Sequence, residues 1–176
     1  LLPRRPELQA QPGPMAIEAN QVNLWYGSFQ ALFDVDLRIK RGIVTALIGP
    51  SGCGKSTFLR SCNRIVERLG YVRTTGSIRV LGHDIYGPEV SPIQVRRQIG
   101  MVFQRPNPLP LSIRENLLFG QKLHRDEKLS RSEADELVEK ALQEVLLWDR
   151  VKDQLHKKAT LLSLEEQQKL CIARLL

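Results

Sequence analysis

The chain has 176 residues, 42% of them hydrophobic and only 6% aromatic, which suits one domain with a sizeable, mainly aliphatic core. Lys and Arg outnumber Asp and Glu by 26 to 19, a formal charge of +7, but the basic residues are scattered rather than clustered with aromatics. Phosphate ligands or an anionic membrane surface therefore explain the charge as well as nucleic acid does, and no apolar run approaches the roughly 20 residues that span a bilayer.

Residues 1–14 carry four prolines and no apolar stretch, so they predict a tail outside the fold, or an over-extended gene start, before Met15. Residues 17–24 predict a loose strand. In the next segment Phe33, Val35, Leu37 and Ile39 alternate with Asp34, Asp36, Arg38 and Lys40, the pattern of a half-buried antiparallel strand. Residues 43–48 are apolar on both faces and predict a central strand of a parallel sheet. Between Ser56 and Gly70, Phe58, Leu59, Cys62, Ile65, Val66 and Leu69 fall on one helical face, with Gly70 as the stop and Cys62 in the core.

Residues 77–81 predict another strand, and Ser91-Pro92 an N-cap and first-turn proline for a helix to about Gln98. Residues 99–103 predict a buried strand ending at Gln104. Three prolines in the six residues 105–110 then enforce an extended loop. From there the pattern turns helical: a short helix over 112–118, a charged stretch over 122–131, and a long amphipathic helix from the capping box Ser130-x-x-Glu133. Its expected buried stripe is Ala134, Leu137, Val138, Ala141, Leu142, Val145 and Leu146. The acidic residues at its start read as a solvated face matched to the helix dipole, not as a metal site.

Chemistry concentrates in the run Gly49-Pro50-Ser51-Gly52-Cys53-Gly54-Lys55-Ser56-Thr57, a G-x-x-x-x-G-K-[ST] pattern between a predicted strand and a predicted helix. The glycines let backbone N–H groups approach phosphate oxygens where a side chain would intrude. The following helix points its N-terminus at the same anion. Lys55 is expected to reach the β- and γ-phosphates and Ser56 to ligate Mg2+, which predicts ATP and Mg2+ as ligands. The bland alternative, a glycine-rich turn with a surface lysine, leaves the register of glycine, lysine and hydroxyl unexplained. The cysteines Cys53, Cys62 and Cys171 have neither metal-ligand spacing nor a C-x-x-C pair and predict reduced thiols in the cytosol.

Taken in order, this loop, Gln104 before a proline-rich loop, and the helical run LLSLEEQQKLCIAR resemble the ATP-binding subunit of an ABC transporter. The stretches LWYGSFQALFDVDL, KSTFLRSCNR and GMVFQRPNPLPLSIRENLLFG are similar to those of bacterial phosphate importers, and the resemblance covers about residues 16–174. It implies an α/β P-loop core with a mixed sheet over residues 15–107 and a helical subdomain over 108–176. It also implies a second ATPase subunit placed head to tail, membrane permease partners and a peripheral place on the cytoplasmic face of the membrane. No nucleic acid enters this reading. Residue by residue, it implies that Tyr26 stacks on adenine and that Gln104 reaches Mg2+ and the attacking water. It further implies that Ser163 contacts the γ-phosphate held by the opposite subunit.

The pattern is departed from twice. The family's Leu-Ser-Gly-Gly-Gln stands here as Leu162-Ser163-Leu164-Glu165-Glu166, so Ser163-x-x-Glu166 reads as a capping box and two carboxylates face the expected phosphate. One such charge pair at about 5 Å costs roughly 3 kcal/mol at an effective dielectric of about 20. The resemblance also implies a later strand ending Asp-Glu and a later histidine, beyond Leu176, so the expectation is a C-terminally incomplete site with weak binding and negligible hydrolysis. Two readings follow beside the transport ATPase: a non-catalytic ATP-binding module, and a truncated fragment. A small-molecule kinase would leave Gln104 and the signature helix unexplained.

Overall fold

The structure is a computed structural model that describes residues 13–124 and 129–176. Most of the expected tail, and the centre of the charged stretch over 122–131, lie outside the described residues. Two compact units divide the chain, residues 1–100 and residues 101–176.

The first unit is built on a hairpin. Strands β1 (Met15–Tyr26) and β2 (Phe29–Lys40) pair antiparallel across the turn at Gly27-Ser28, with Tyr26 directly opposite Phe29. Helix α1 (Lys55–Cys62) follows the glycine-rich loop. Strand β3 (Val72–Val80) takes the other edge of β1, and the two-residue strand β4 (His83–Asp84) pairs with β3, giving the order β2-β1-β3-β4. Helix α2 (Pro92–Gln98) starts at the N-cap expected at Ser91, whose side chain and that of Gln94 form a reciprocal capping box. Ala19, Val22, Leu24, Leu32 and Ile78 from the sheet bury themselves with Phe58, Cys62 and Val66, and with Ile85 and Val95. Cys62 is a core residue as expected, and burial pushes its thiol up to about 12.

Three expectations fail in this part of the chain. Residues 43–48 form no ladder among the described residues: Val44 is fully exposed and Ile48 is 93% exposed. Residues 99–103 form no ladder either. An apolar run shows that a segment is suited to burial on both faces, but a ladder needs partner strands whose position the run does not encode. The helix expected over 56–70 is broken after Cys62. Arg64 takes the left-handed conformation at φ +59, and a 3-10 turn (Ile65–Leu69) follows to Gly70. The Arg64 guanidinium holds that break in place, donating to the carbonyls of Ile85 and Val90 at 2.8 Å and pairing with both oxygens of Glu67. Arg96 closes the same knot by donating to the Arg64 carbonyl at 2.7 Å.

The second unit is helical. Helices α3 (Ile113–His124), α4 (Arg131–Glu144), α5 (Trp148–Val151) and α6 (Leu164–Ala173) enclose Ile113, Leu117, Val138, Leu142, Leu147 and Leu170. The capping box expected at Ser130 and Glu133 is formed. The stripe ends earlier than the periodicity suggests. Leu146, expected inside, is 82% exposed at φ +54, because the Leu147 N–H bonds the Leu142 carbonyl and closes α4. The proline-rich loop is organised by fully buried Asn116, whose side chain accepts from the Leu109 N–H at 2.8 Å and donates to the Ser112 carbonyl at 2.9 Å. Among the described residues no helix is long and apolar enough to cross a membrane.

Candidate functional site

The loop over residues 49–57 is shaped by what glycine permits. Gly54, the N-cap of α1, stands at φ +93, and a Cβ there would lie 2.7 Å from Leu32 Cδ2 and 3.1 Å from the Ala31 carbonyl oxygen. Only a residue without a side chain lets the loop rest this closely on β2. Gly52 also has positive φ, at +83, and Gly49 carries no Cβ to meet the Cys53 sulfur. The Lys55 ammonium is folded into the loop, donating to the carbonyls of Gly49 and Pro50, each at 2.7 Å, and to Cys53 Sγ at 3.4 Å. A cation held over the loop mouth, above the N-terminus of α1, is an arrangement suited to an anion.

A cavity of about 520 Å3 opens beside the loop. Of the residues expected from the sequence it is lined by Tyr26, Ser51, Gly52, Gly54, Lys55, Ser56 and Thr57. Tyr26 is oriented by an edge-on contact with Tyr71, ring centroids 6.4 Å apart. Sequence reasoning missed Phe29, Gln30, Ala31 and Phe33, which complete the wall. Phe33 in particular was expected on the inward side of an alternating strand, yet it is 67% exposed. The reason is a bulge. Between the pairs Leu24–Leu32 and Val22–Val35 the ladder advances two residues on β1 and three on β2, with Asp34 at φ +42.

Gln104 belongs to the second unit, where it is exposed on an open cavity of about 700 Å3 with Arg105, Leu164, Glu165 and Gln168. Gln168 fastens the segment before it, donating to the Phe103 carbonyl at 3.2 Å. Among the described residues no cluster of three His, Cys, Asp or Glu side chains could hold a metal ion.

Ser163 caps α6 as a full capping box. Its hydroxyl donates to Glu166 Oε2 at 2.7 Å and accepts from the Glu166 N–H at 3.3 Å, while the Ser163 N–H bonds the same carboxylate at 2.9 Å. The two carboxylates do not stand alone. Arg150 lies 3.1 Å from Glu166 and 3.9 Å from Glu165, and Lys169 lies 3.1 Å from Glu165. Two cations thus offset two anions, and the repulsion expected from bare charges at this helix end is reduced. No spacing in the sequence announces Arg150 as their partner.

The two hydrogen bonds from Ser163 hold the Glu166 carboxyl below the usual carboxylate range, with Arg150 and Lys169 adding to the effect. A depressed folded-state value means that this contribution to stability is present above the unfolded-state value of about 4.3 and is lost as pH falls through the lower, folded-state value. The Tm advantage of the parent chain over Glu166→Gln is accordingly expected to be constant from pH 8 to 6 and to shrink below about pH 4. A difference that does not change with pH in paired thermal melts would show that the carboxylate charge plays no part in the cap.

The chain matches the ABC transporter family over residues 32–176. It is 50% identical over 169 residues to the phosphate import ATP-binding protein PstB of Rubrobacter xylanophilus, covering 96% of this chain and 58% of the relative. It is 51% identical over 159 residues to the PstB of Leifsonia xyli subsp. xyli, covering 90% and 61%. The chain thus spans about three fifths of the length of these relatives. Among solved structures it resembles cbiO1 from Clostridium perfringens, part of the ABC transporter complex cbiONQ, with TM-score 0.73 and 26% identity over 93% of this chain and 61% of that one. A bacterial Atm1-family ABC exporter with ATP bound shares the fold at TM-score 0.75 and 23% identity, over 99% of this chain and 29% of that one. The α/β P-loop ATPase class and the resemblance read from the motifs are borne out: the chain belongs to the ABC transporter family.

Proposed function

We propose that this chain is the ATP-binding part of a subunit that powers inorganic phosphate import through an ABC transporter. The observation that carries nucleotide binding is the meeting of the residue 51–57 loop, the start of α1 and Tyr26 around one cavity. Among the described residues that line it there is no carboxylate. One end offers an ammonium and backbone N–H groups, the other an aromatic face, which is the chemistry that takes a nucleoside triphosphate. Lys55 exchanges its two loop carbonyls for β- and γ-phosphate oxygens, and the backbone N–H groups of the loop take other phosphate oxygens. Tyr26 stacks on adenine.

The exposed Ser56 hydroxyl is the side chain of the first unit that would hold Mg2+, which supplies neutralising charge for phosphoryl transfer. By the family resemblance, Gln104 is the residue we assign to the attacking water. The names of the PstB relatives support phosphate as the transported ion. In this reading phosphate crosses through permease partners and does not touch the subunit. A second ATPase subunit sits head to tail against this one, at the cytoplasmic face of the membrane.

A specific observation favours a second reading, a non-catalytic half-site. The Ser163 hydroxyl is already committed to Glu166 in both directions, so the end of α6 is occupied by its own carboxylate. One experiment separates the two. Mg-ATP is titrated calorimetrically into the full chain and into Leu164→Gly/Glu165→Gly/Glu166→Gln, with size-exclusion chromatography in ATP. Saturable one-site binding by both is expected, and its absence from the parent chain would overturn the nucleotide reading. ATP-driven dimerisation and hydrolysis by the parent favour the transport ATPase. Dimerisation only of the restored variant favours the half-site.

A further inference from the structure

Phe33 stands on the wall of the loop cavity where an alternating strand would have buried it, and its placement is built rather than incidental. The extra residue that re-aims it is fixed by a polar knot. Asn23 Nδ2 donates to Asp34 Oδ1 at 2.8 Å, the Asp34 N–H donates to Asn23 Oδ1 at 3.0 Å, and Gln30 Nε2 donates to Asn23 Oδ1 at 2.8 Å and to the Leu32 carbonyl at 3.0 Å. Bulges of this kind commonly re-aim a side chain beside a functional site. The consequence is an aromatic ring left 67% exposed, although burial of so large an apolar side chain is favourable. Phe29, across the hairpin end from Tyr26, is 68% exposed on the same wall.

The loop and this wall belong to one site because Gly54 rests on Ala31 and Leu32, the residues immediately before Phe33. At about 520 Å3 the cavity falls within the usual range of roughly 300–1,000 Å3 for small-ligand sites. Exposed aromatic faces beside a phosphate-binding loop suit a flat heteroaromatic base, whose stacking on a side chain is tolerant of base identity.

We propose that Phe33 is a second nucleobase-contacting residue, which works beside Tyr26 and sets the affinity for the base half of the nucleotide. This rests on the reading that the Lys55 loop holds the triphosphate. It assigns the two halves of the ligand to different residues: phosphates to the loop, base to the hairpin.

The test compares Mg-ATP with inorganic tripolyphosphate, each titrated calorimetrically into the full parent chain, Phe33→Ala, Phe33→Trp and Lys55→Ala. Because Phe33 is exposed, its replacement takes little from the core, and far-ultraviolet circular dichroism checks that each variant is folded. Phe33→Ala is expected to weaken ATP about ten-fold and to leave tripolyphosphate unchanged, with Phe33→Trp restoring ATP affinity. Unchanged ATP affinity in Phe33→Ala overturns the inference. So does an equal loss for both ligands, which would mean that Phe33 only supports the loop. Parent-like binding of both ligands by Lys55→Ala overturns the loop reading instead, and this inference with it.

Discussion

Lys55→Ala is expected to lower the affinity for Mg-ATP at least 100-fold in a calorimetric titration, while leaving the fold intact. The ammonium makes its hydrogen bonds within the loop, to the carbonyls of Gly49 and Pro50 at 2.7 Å. Those acceptors are neutral, whereas phosphate oxygens carry charge. Hydrogen bonds to charged groups contribute roughly 1.5–3 kcal/mol each, against about 1 kcal/mol for a neutral pair. Exchanging two neutral bonds for two charged ones gains roughly 1–4 kcal/mol net, and the point charge adds to this, against the roughly 2.8 kcal/mol that corresponds to 100-fold. No core contact is removed, because Lys55 is absent from both buried clusters. Lys55→Arg is not expected to rescue binding, since a planar fork cannot occupy a seat shaped for a compact ammonium. Retention of the parent affinity by Lys55→Ala would sink the assignment of this loop.

Gly76→Ala has the second large effect, on stability: a loss of about 4 kcal/mol in urea unfolding, or failure to fold, the size reached when overpacking and strain at a special φ coincide. Gly76 lies on β3 at φ +82, opposite the bulge of β1, where the ladder passes three residues of β1 for two of β3. A Cβ would meet the carbonyl oxygens of Gln21 and Asn20, the latter at 2.6 Å. These are backbone atoms and cannot rotate away. Moving them would also pull Gln21 from its N–H bond to Asp36 Oδ1 at 2.8 Å. Gly70 provides the internal control. It has a similar φ of +77 but open space around a built Cβ, so Gly70→Ala should cost only about 1–2 kcal/mol of backbone strain. Equal losses for the two variants would show that conformation alone, and not the bulge contact, makes Gly76 necessary.

The features legible in the sequence share a short physical range. The N-cap at Ser91 and the capping boxes at Ser130 and Ser163 join groups no more than three residues apart, and all three form. The glycine-rich loop opens a helix at Lys55, and the apolar spacing around Cys62 places that thiol in the core. The features that were not legible depend on partners distant in the chain. The apolar run over 43–48 has the composition of a strand but no ladder among the described residues. Arg64 breaks a helical pattern because carbonyls 21 and 26 residues away receive its guanidinium. Arg150 meets Glu166 although the two stand 16 positions apart with no periodic signal joining them.

The loop, its lysine and hydroxyl, the caps and the family itself were determined by the sequence alone, because each is written in neighbouring residues whose chemistry acts locally. Tertiary structure alone decided that β2 bulges at Asp34, so that Phe33 joins Tyr26 on the cavity wall, and that Gly54 rests on β2. It also decided that the carboxylates of α6 are closed by Arg150 and Lys169. Strand register and ion pairing between separate elements depend on which distant atoms arrive within a few ångströms. Residue type and spacing do not encode that distance.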